Sequence, residues 1–208
     1  MLVFLSSASP AWASDPALDP NLIQDSPVLQ RWLKKTPDVR SDIANDPSFR
    51  TRYRVGYSQV DRAAGLNLGI EDLRIDRTRF TVSANYQTAF NGSRSSVGAD
   101  LHYYLRPLGS YVNVAPVVGY RHLSTRGDTI DGANLGVKVL LVLSRGGGAD
   151  VSLTQSWVSP FSENETGLTT LSIGYALTHN LRLSTDLQQQ NSRLYKDSRI
   201  GIVLEWMP

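Results

Sequence analysis

The 208-residue sequence contains no cysteine, only three histidines and two methionines. Without a thiol there is no disulfide, no thiolate metal site, no cysteine nucleophile and no lipidated N-terminal cysteine. Three histidines alone do not make a usual zinc set unless distant carboxylates join them, so no metal is expected. An excess of one charge is also missing, since 21 Lys and Arg against 19 Asp and Glu leave a formal net charge of +2. No basic run is interleaved with aromatics, so the footprint of a nucleic-acid binder is absent. No cofactor motif is present: Gly146-Gly147-Gly148 lacks the following Lys of a phosphate loop and reads as turn chemistry. The longest apolar stretch, 133–143, is interrupted by Lys138, well short of the roughly 20 apolar residues a spanning helix needs. If this chain enters a bilayer it does so as strands, because only helices and closed barrels satisfy every backbone group in lipid.

The N-terminus differs from everything after it. Leu2, Val3, Phe4 and Leu5 form a short apolar core, and Ala11-Trp12-Ala13 is a small-x-small cleavage pattern before Ser14. Residues 1–13 are therefore expected to be an export signal, its missing basic leader placing the true start upstream of Met1. In 14–50, Ser26-Pro27 supplies an N-cap followed by Pro at the first helical position. Leu29, Trp32 and Leu33 follow at helical spacing, and Lys34 and Lys35 suit a helix C-terminus. Thr36-Pro37 repeats the start signal, Val39 and Ile43 share a face, and Asp46-Pro47 is a stop. Two short helices are expected there.

From about Arg52 the period of the apolar residues is two. Ten strands are expected, at 51–59, 66–74, 78–89, 96–106, 110–122, 132–144, 148–158, 166–178, 181–190 and 197–206. In the sixth, Ala133, Leu135, Val137, Val139, Leu141 and Leu143 share a face. The opposite face carries Asn134, Gly136, Lys138 and Ser144, with Leu140 and Val142 breaking its polarity. The second strand is irregular, since Leu66, Leu68 and Ile70 are out of phase with Leu73 and Ile75, and a bulge there would restore the phase.

Alternation alone does not separate a membrane barrel from a soluble ligand-carrying barrel, whose apolar face points inward. Three further features favour the membrane form. Connections after even-numbered strands look tight, as at Ile75-Asp76-Arg77, Pro107-Leu108-Gly109 and His179-Asn180, whereas 60–65, 90–95, 123–131, 159–165 and 191–196 look longer and more polar. That is the pattern of a barrel with short turns at the end bearing both chain termini and long loops at the other. The aromatics sort by end as well. Tyr53, Phe80, Tyr103, Tyr175 and Trp206 fall near one end of the apolar face, and Tyr86, Phe90, Tyr120 and Trp157 near the other, as two interfacial girdles would. The remaining face, with Ser83, Asn85, Gln87, Asp100, His102, Thr154, Ser156, Asp186 and Gln188, is too polar for a protein core.

In these respects residues 51–208 resemble the small β-barrel proteins of the Gram-negative-type outer membrane. The final strand of that class ends in an aromatic residue, and Ile200, Ile202, Leu204 and Trp206 match the pattern, although Met207-Pro208 extends past it. The resemblance implies an all-β, closed antiparallel up-and-down barrel of about ten strands contacting outer-membrane lipid. Residues 14–50 would then be a periplasmic segment, the place where a periplasmic partner would dock. It carries no catalytic residue with it, and the expected role is structural, an interaction, or a narrow passage.

Within the barrel, Asp100 and His102 are two residues apart and should both point into the lumen. Outer-membrane proteases and acyltransferases use His with carboxylates or Ser, so this pair is the best lead for the alternative, a hydrolase or acyltransferase acting on lipid or peptide. His102 falls at mid-depth or below, away from the rim where a large substrate would arrive, and a lumenal hydrogen-bonded pair is the favoured reading. The lumenal phase also holds Arg52, Arg54, Arg79, Arg106, Arg121, Lys138, Arg182 and Arg199 against Asp100, Asp150, Asp186 and Glu205. Eight cations to four acids predict either an anion-leaning passage or a lumen plugged by ion pairs, and a barrel this small is nearly filled by its own side chains.

Overall fold

The computed structural model describes residues 50–208 apart from 61–62, 77, 109, 126–127, 145–147 and 193–195. The export signal, the two expected helices of 14–50 and Gly146-Gly147 lie outside the described residues.

Ten strands run in chain order: β1 (Arg52–Val60), β2 (Ala63–Arg74), β3 (Phe80–Ala89), β4 (Arg94–Tyr103), β5 (Val112–Thr125), β6 (Asp128–Ser144), β7 (Ala149–Val158), β8 (Thr166–Ala176), β9 (Leu181–Ser192) and β10 (Lys196–Trp206). Each pairs antiparallel with its neighbour in sequence, and β1 pairs with β10, Tyr53 opposite Trp206, to close the barrel. Closure leaves no unpaired edge, which is the condition for a sheet to stand in lipid. The number of strands is even, so Arg50 and Met207 emerge at the same end, here the proximal end; the other is distal.

The alternation has the polarity of a membrane barrel. Ile202 is 59% exposed on the outer wall, Leu141 41% and Tyr103 37%; a soluble barrel would hide all three. Leu135, Val137, Val139, Leu183, Leu187 and Leu204 stand on the same outer surface. The opposite phase is withdrawn from solvent although it is polar: Arg182 is 2% exposed, Lys138 3% and Glu205 1%. Near the proximal end the rings of Tyr53 and Trp206 lie 5.5 Å apart, and those of Phe80 and Tyr103 4.8 Å apart. Tyr175 shares that outward surface, and Tyr86, Phe90, Tyr120 and Trp157 are exposed toward the distal ends of their strands.

The phase break in β2 is a bulge between Ile70 and Leu73. Asp72 sits there at φ 53°, the left-handed region that a short polar side chain tolerates best among non-glycine residues. One extra residue in β2 keeps Leu66, Leu68, Ile70 and Leu73 on the outer wall. It also turns two consecutive residues, Glu71 and Asp72, into the lumen.

The connection lengths are not as expected from sequence. The distal links at 61–62, 126–127 and 193–195 are short, and only Ser159–Glu165 is a loop of any length. The proximal link at 104–111 is longer than any of these. Residues read as polar loops, such as Asp128, Thr129 and Asn191, are strand residues that pair in register. The reason is physical: beyond the lipid belt both faces of a strand meet water, so loss of apolar alternation marks the membrane boundary rather than the strand end. The asymmetry of the barrel lies in strand length instead. The 17 residues of β6 run roughly 55 Å at about 3.3 Å each, well beyond an apolar belt of about 25 Å.

Candidate functional site in the barrel lumen

The proximal half of the lumen is crossed by ion pairs. Lys138 on β6 reaches over to β2, donating to Glu71 Oε1 at 2.9 Å and Asp72 Oδ2 at 3.0 Å. Arg52 on β1 lies 3.0 Å from Asp72 Oδ2, 3.3 Å from Glu71 Oε1 and 3.6 Å from Asp150 on β7. Arg54 meets Glu71 and Glu205 at 3.0 Å and Asp186 at 2.9 Å. Arg182 forks onto Asp150 and holds Glu205 Oε2 at 2.8 Å. Gly174 makes that fork feasible, because a Cβ there would collide with the Arg182 guanidinium. Asp72 collects the most partners, accepting also from Thr81 and from the Tyr104 hydroxyl at 2.9 Å each. Buried charges are tolerated only when matched this way.

Below this network the lumen becomes apolar. Tyr104, Ala115, Leu140 and Val142 pack together, with Leu108 against them. Leu140 and Val142, which broke the polarity of the lumenal phase of β6, are thus the floor of the lumen. Met207 continues the lumenal phase of β10 and is fully buried, its backbone held to Asn180 by two hydrogen bonds of 2.8 Å. The departure from the terminal-aromatic pattern therefore helps to close the base.

Above the network lies a polar cavity of about 110 Å³, lined by Asn67, Asn85, Gln87, Asn134, Thr154, Ser156, Thr170 and Gln188. Here Gly69 lines the wall in place of a side chain. Gly119 faces Asp100 across the β4–β5 ladder, and a Cβ on it would collide with Asp100 and the Ala99 carbonyl. Farther toward the distal end, Arg94 on β4 crosses to Asp197 on β10.

The expected Asp100–His102 pair does not form. Asp100 takes Arg121 Nη2 and Asn134 Nδ2, each at 2.6 Å. His102 turns to the neighbouring strands, where Nδ1 stands 3.4 Å from Ser83 Oγ, 3.5 Å from Thr81 Oγ1 and 3.6 Å from Asp72 Oδ1. Residues two apart share a face but not partners, because cross-strand neighbours lie closer than the next residue on the same face. Two expected lumenal cations are also corrected. Arg79 and Arg106 are exposed in the proximal links, Arg79 donating to the Leu105 carbonyl, because β3 begins only at Phe80 and β4 ends at Tyr103. Arg52, Arg54, Arg121, Lys138, Arg182 and Arg199 do stand on the lumenal phase of their strands.

The eight-to-four charge count changes accordingly. Three further acids, Glu71, Asp72 and Asp197, enter the lumen, as does Arg94. The sequence signal for the first two was the phase break in β2, which implied a bulge and with it two adjacent inward residues. Arg94 falls in a link expected from sequence at 90–95 because β4 starts earlier than expected, whereas Asp197 lies inside the expected tenth strand but was not counted among its lumenal acids. Among the described residues no group of three or more His, Asp and Glu is arranged to hold a metal ion.

A closed antiparallel barrel with an apolar outer wall and a charged, cross-linked interior is the architecture of outer-membrane β-barrels. No protein-family model matches the sequence, and no curated protein does. Among solved structures the chain is similar to the KdgM porin, with 11% identity and a TM-score of 0.47 over 76% of this chain and 99% of that one. It is also similar to the KdgM porin in complex with disordered oligogalacturonate, with 10% identity and a TM-score of 0.46 over 76% of this chain and 99% of that one. The NanC porin matches at 9% identity and a TM-score of 0.48, over 76% of this chain and the whole of that one. At these identities the likeness is one of fold.

Proposed function

We propose that this chain is an integral outer-membrane β-barrel, non-catalytic, whose lumen is closed at its proximal, periplasmic end. Its outer wall contacts lipid, and its polar cavity lies on the distal side of the closure. The observation that carries this reading is the cross-lumen network: Lys138, Arg52, Arg54 and Arg182 bind five acids from β2, β7, β9 and β10 above an apolar floor.

A narrow anion-leaning passage is the second reading, favoured by the polar cavity and the arginines distal to it. It requires the base to open. The hydrolase alternative draws on Ser83 and Asp72 near His102, but both approach the same ring nitrogen. A nucleophile–histidine–acid relay needs the two partners on opposite nitrogens.

Planar-bilayer recording under a salt gradient tests the proposal. The unmodified protein is expected to show no steady conductance, and Arg121→Glu with Lys138→Glu is expected to destabilise the barrel without producing a current. A steady anion-selective current from the unmodified protein would establish the second reading and overturn the closed base.

A further inference from the structure

Three arginines, Arg94, Arg121 and Arg199, stand on the lumenal phase toward the distal end, and among the described residues two carboxylates, Asp197 and Asp100, are paired with the first two. Arg121 is matched by Asp100 at 2.6 Å, and Asp100 is also taken by Asn134. Arg94 is matched by Asp197 across the barrel. Arg199, two residues from Asp197 on the same face of β10, lies in the electrostatic field of both Arg94 and Arg121. Among the described residues it has no acidic partner, and its Nη1 is withdrawn from solvent without an acceptor. The Nε of Arg121 is likewise buried with no acceptor.

A guanidinium does not escape this situation by losing its proton. Its buried donors require an acceptor, and like charges on both sides raise the cost of leaving them unmatched. Among the described residues one unit of positive charge is left over, on a planar guanidinium whose fork suits two oxygens of a single anionic group. We propose that Arg199 Nη1 and Arg121 Nε form a binding site for a singly charged oxyanion, of which a carboxylate is the simplest, carried by a solute entering from the distal mouth. The site rests on the assignment of these residues to the lumen and not on whether the base is closed.

Calorimetric titration of the detergent-solubilised full chain with sodium acetate, at constant ionic strength set by chloride, tests the site. The unmodified protein is expected to bind acetate, and Arg199→Gln to bind it roughly 10- to 100-fold more weakly, as loss of a charge-assisted hydrogen bond does. In chloride alone, Arg199→Gln is expected to unfold at the same temperature as the parent or higher, because it removes an unmatched buried charge. Arg199→Lys keeps the charge without the fork and is expected to bind at an intermediate level. Arg106→Gln, at an exposed proximal link, is expected to bind as the parent does. No acetate binding by the parent, equal binding by Arg199→Gln, or a loss as large in Arg106→Gln would overturn the proposal. So would a lowered unfolding temperature of Arg199→Gln in chloride, which would reveal a structural partner for Arg199. A conducting barrel that still binds acetate through Arg199 would overturn the closed base and leave this site standing.

Discussion

The two halves of the lumen are built from the same ten strands, yet they handle polar residues in opposite ways. Proximally, Arg52, Arg54, Lys138 and Arg182 are long cations that reach across the barrel to acids on other strands and fill it. Distally, Gly69 and amides such as Asn67 and Gln188 leave a cavity. The difference shows that barrel size alone does not decide whether a lumen is open. Side-chain length and charge matching at each level decide how far it is filled, and the bulge that turns two carboxylates inward supplies acids for Lys138, Arg52 and Arg54.

The largest effect that would separate the halves is at Lys138. Replacing it by Ala leaves Glu71 and Asp72 short of a cation in a buried site, and a loss of about 3–5 kcal/mol is expected. Urea unfolding in micelles measures it; a loss under about 1 kcal/mol would mean that water already screens the base. In the distal half the corresponding break is steric. Gly119→Val would push a side chain into Asp100 and the Ala99 carbonyl, and about 1–3 kcal/mol of overpacking is expected in the same assay. An unchanged midpoint would show that the β4–β5 wall yields freely there. The smallest effect is at the cavity wall itself. Gln188 holds Thr170 by a hydrogen bond of 3.4 Å, so Gln188→Ala is expected to change stability by no more than about 0.5 kcal/mol. A loss comparable to that at Lys138 would erase the contrast between a cross-linked base and a solvated chamber.

Much of this contrast was foreshadowed in the sequence, though unevenly. Every expected strand has a counterpart, and the outward phase of Leu135, Val139 and Ile202 follows directly from alternation. The break at Ile70 and Leu73 pointed to the bulge, but not to what the bulge does to the charge count. Arg94 was missed because polar residues beyond the lipid belt look like loop, Asp197 was inside the expected tenth strand but went uncounted, and Arg79 and Arg106 were misplaced because the strands stop short of them. Leu140 and Val142 looked like flaws in a polar face until Tyr104 and Ala115 were seen packed on them.

By itself the sequence determined the number of strands, which face meets lipid, and one of the places where the register slips, in β2, since these depend on residues one or two positions apart along the chain. Only the tertiary structure decided which charges meet, that an apolar cluster packs below them, and that Arg199 is left without an acid among the described residues. Those depend on how far each strand is shifted against the next when β1 returns to β10. That shift accumulates over the whole circumference, and no local run of residues records it.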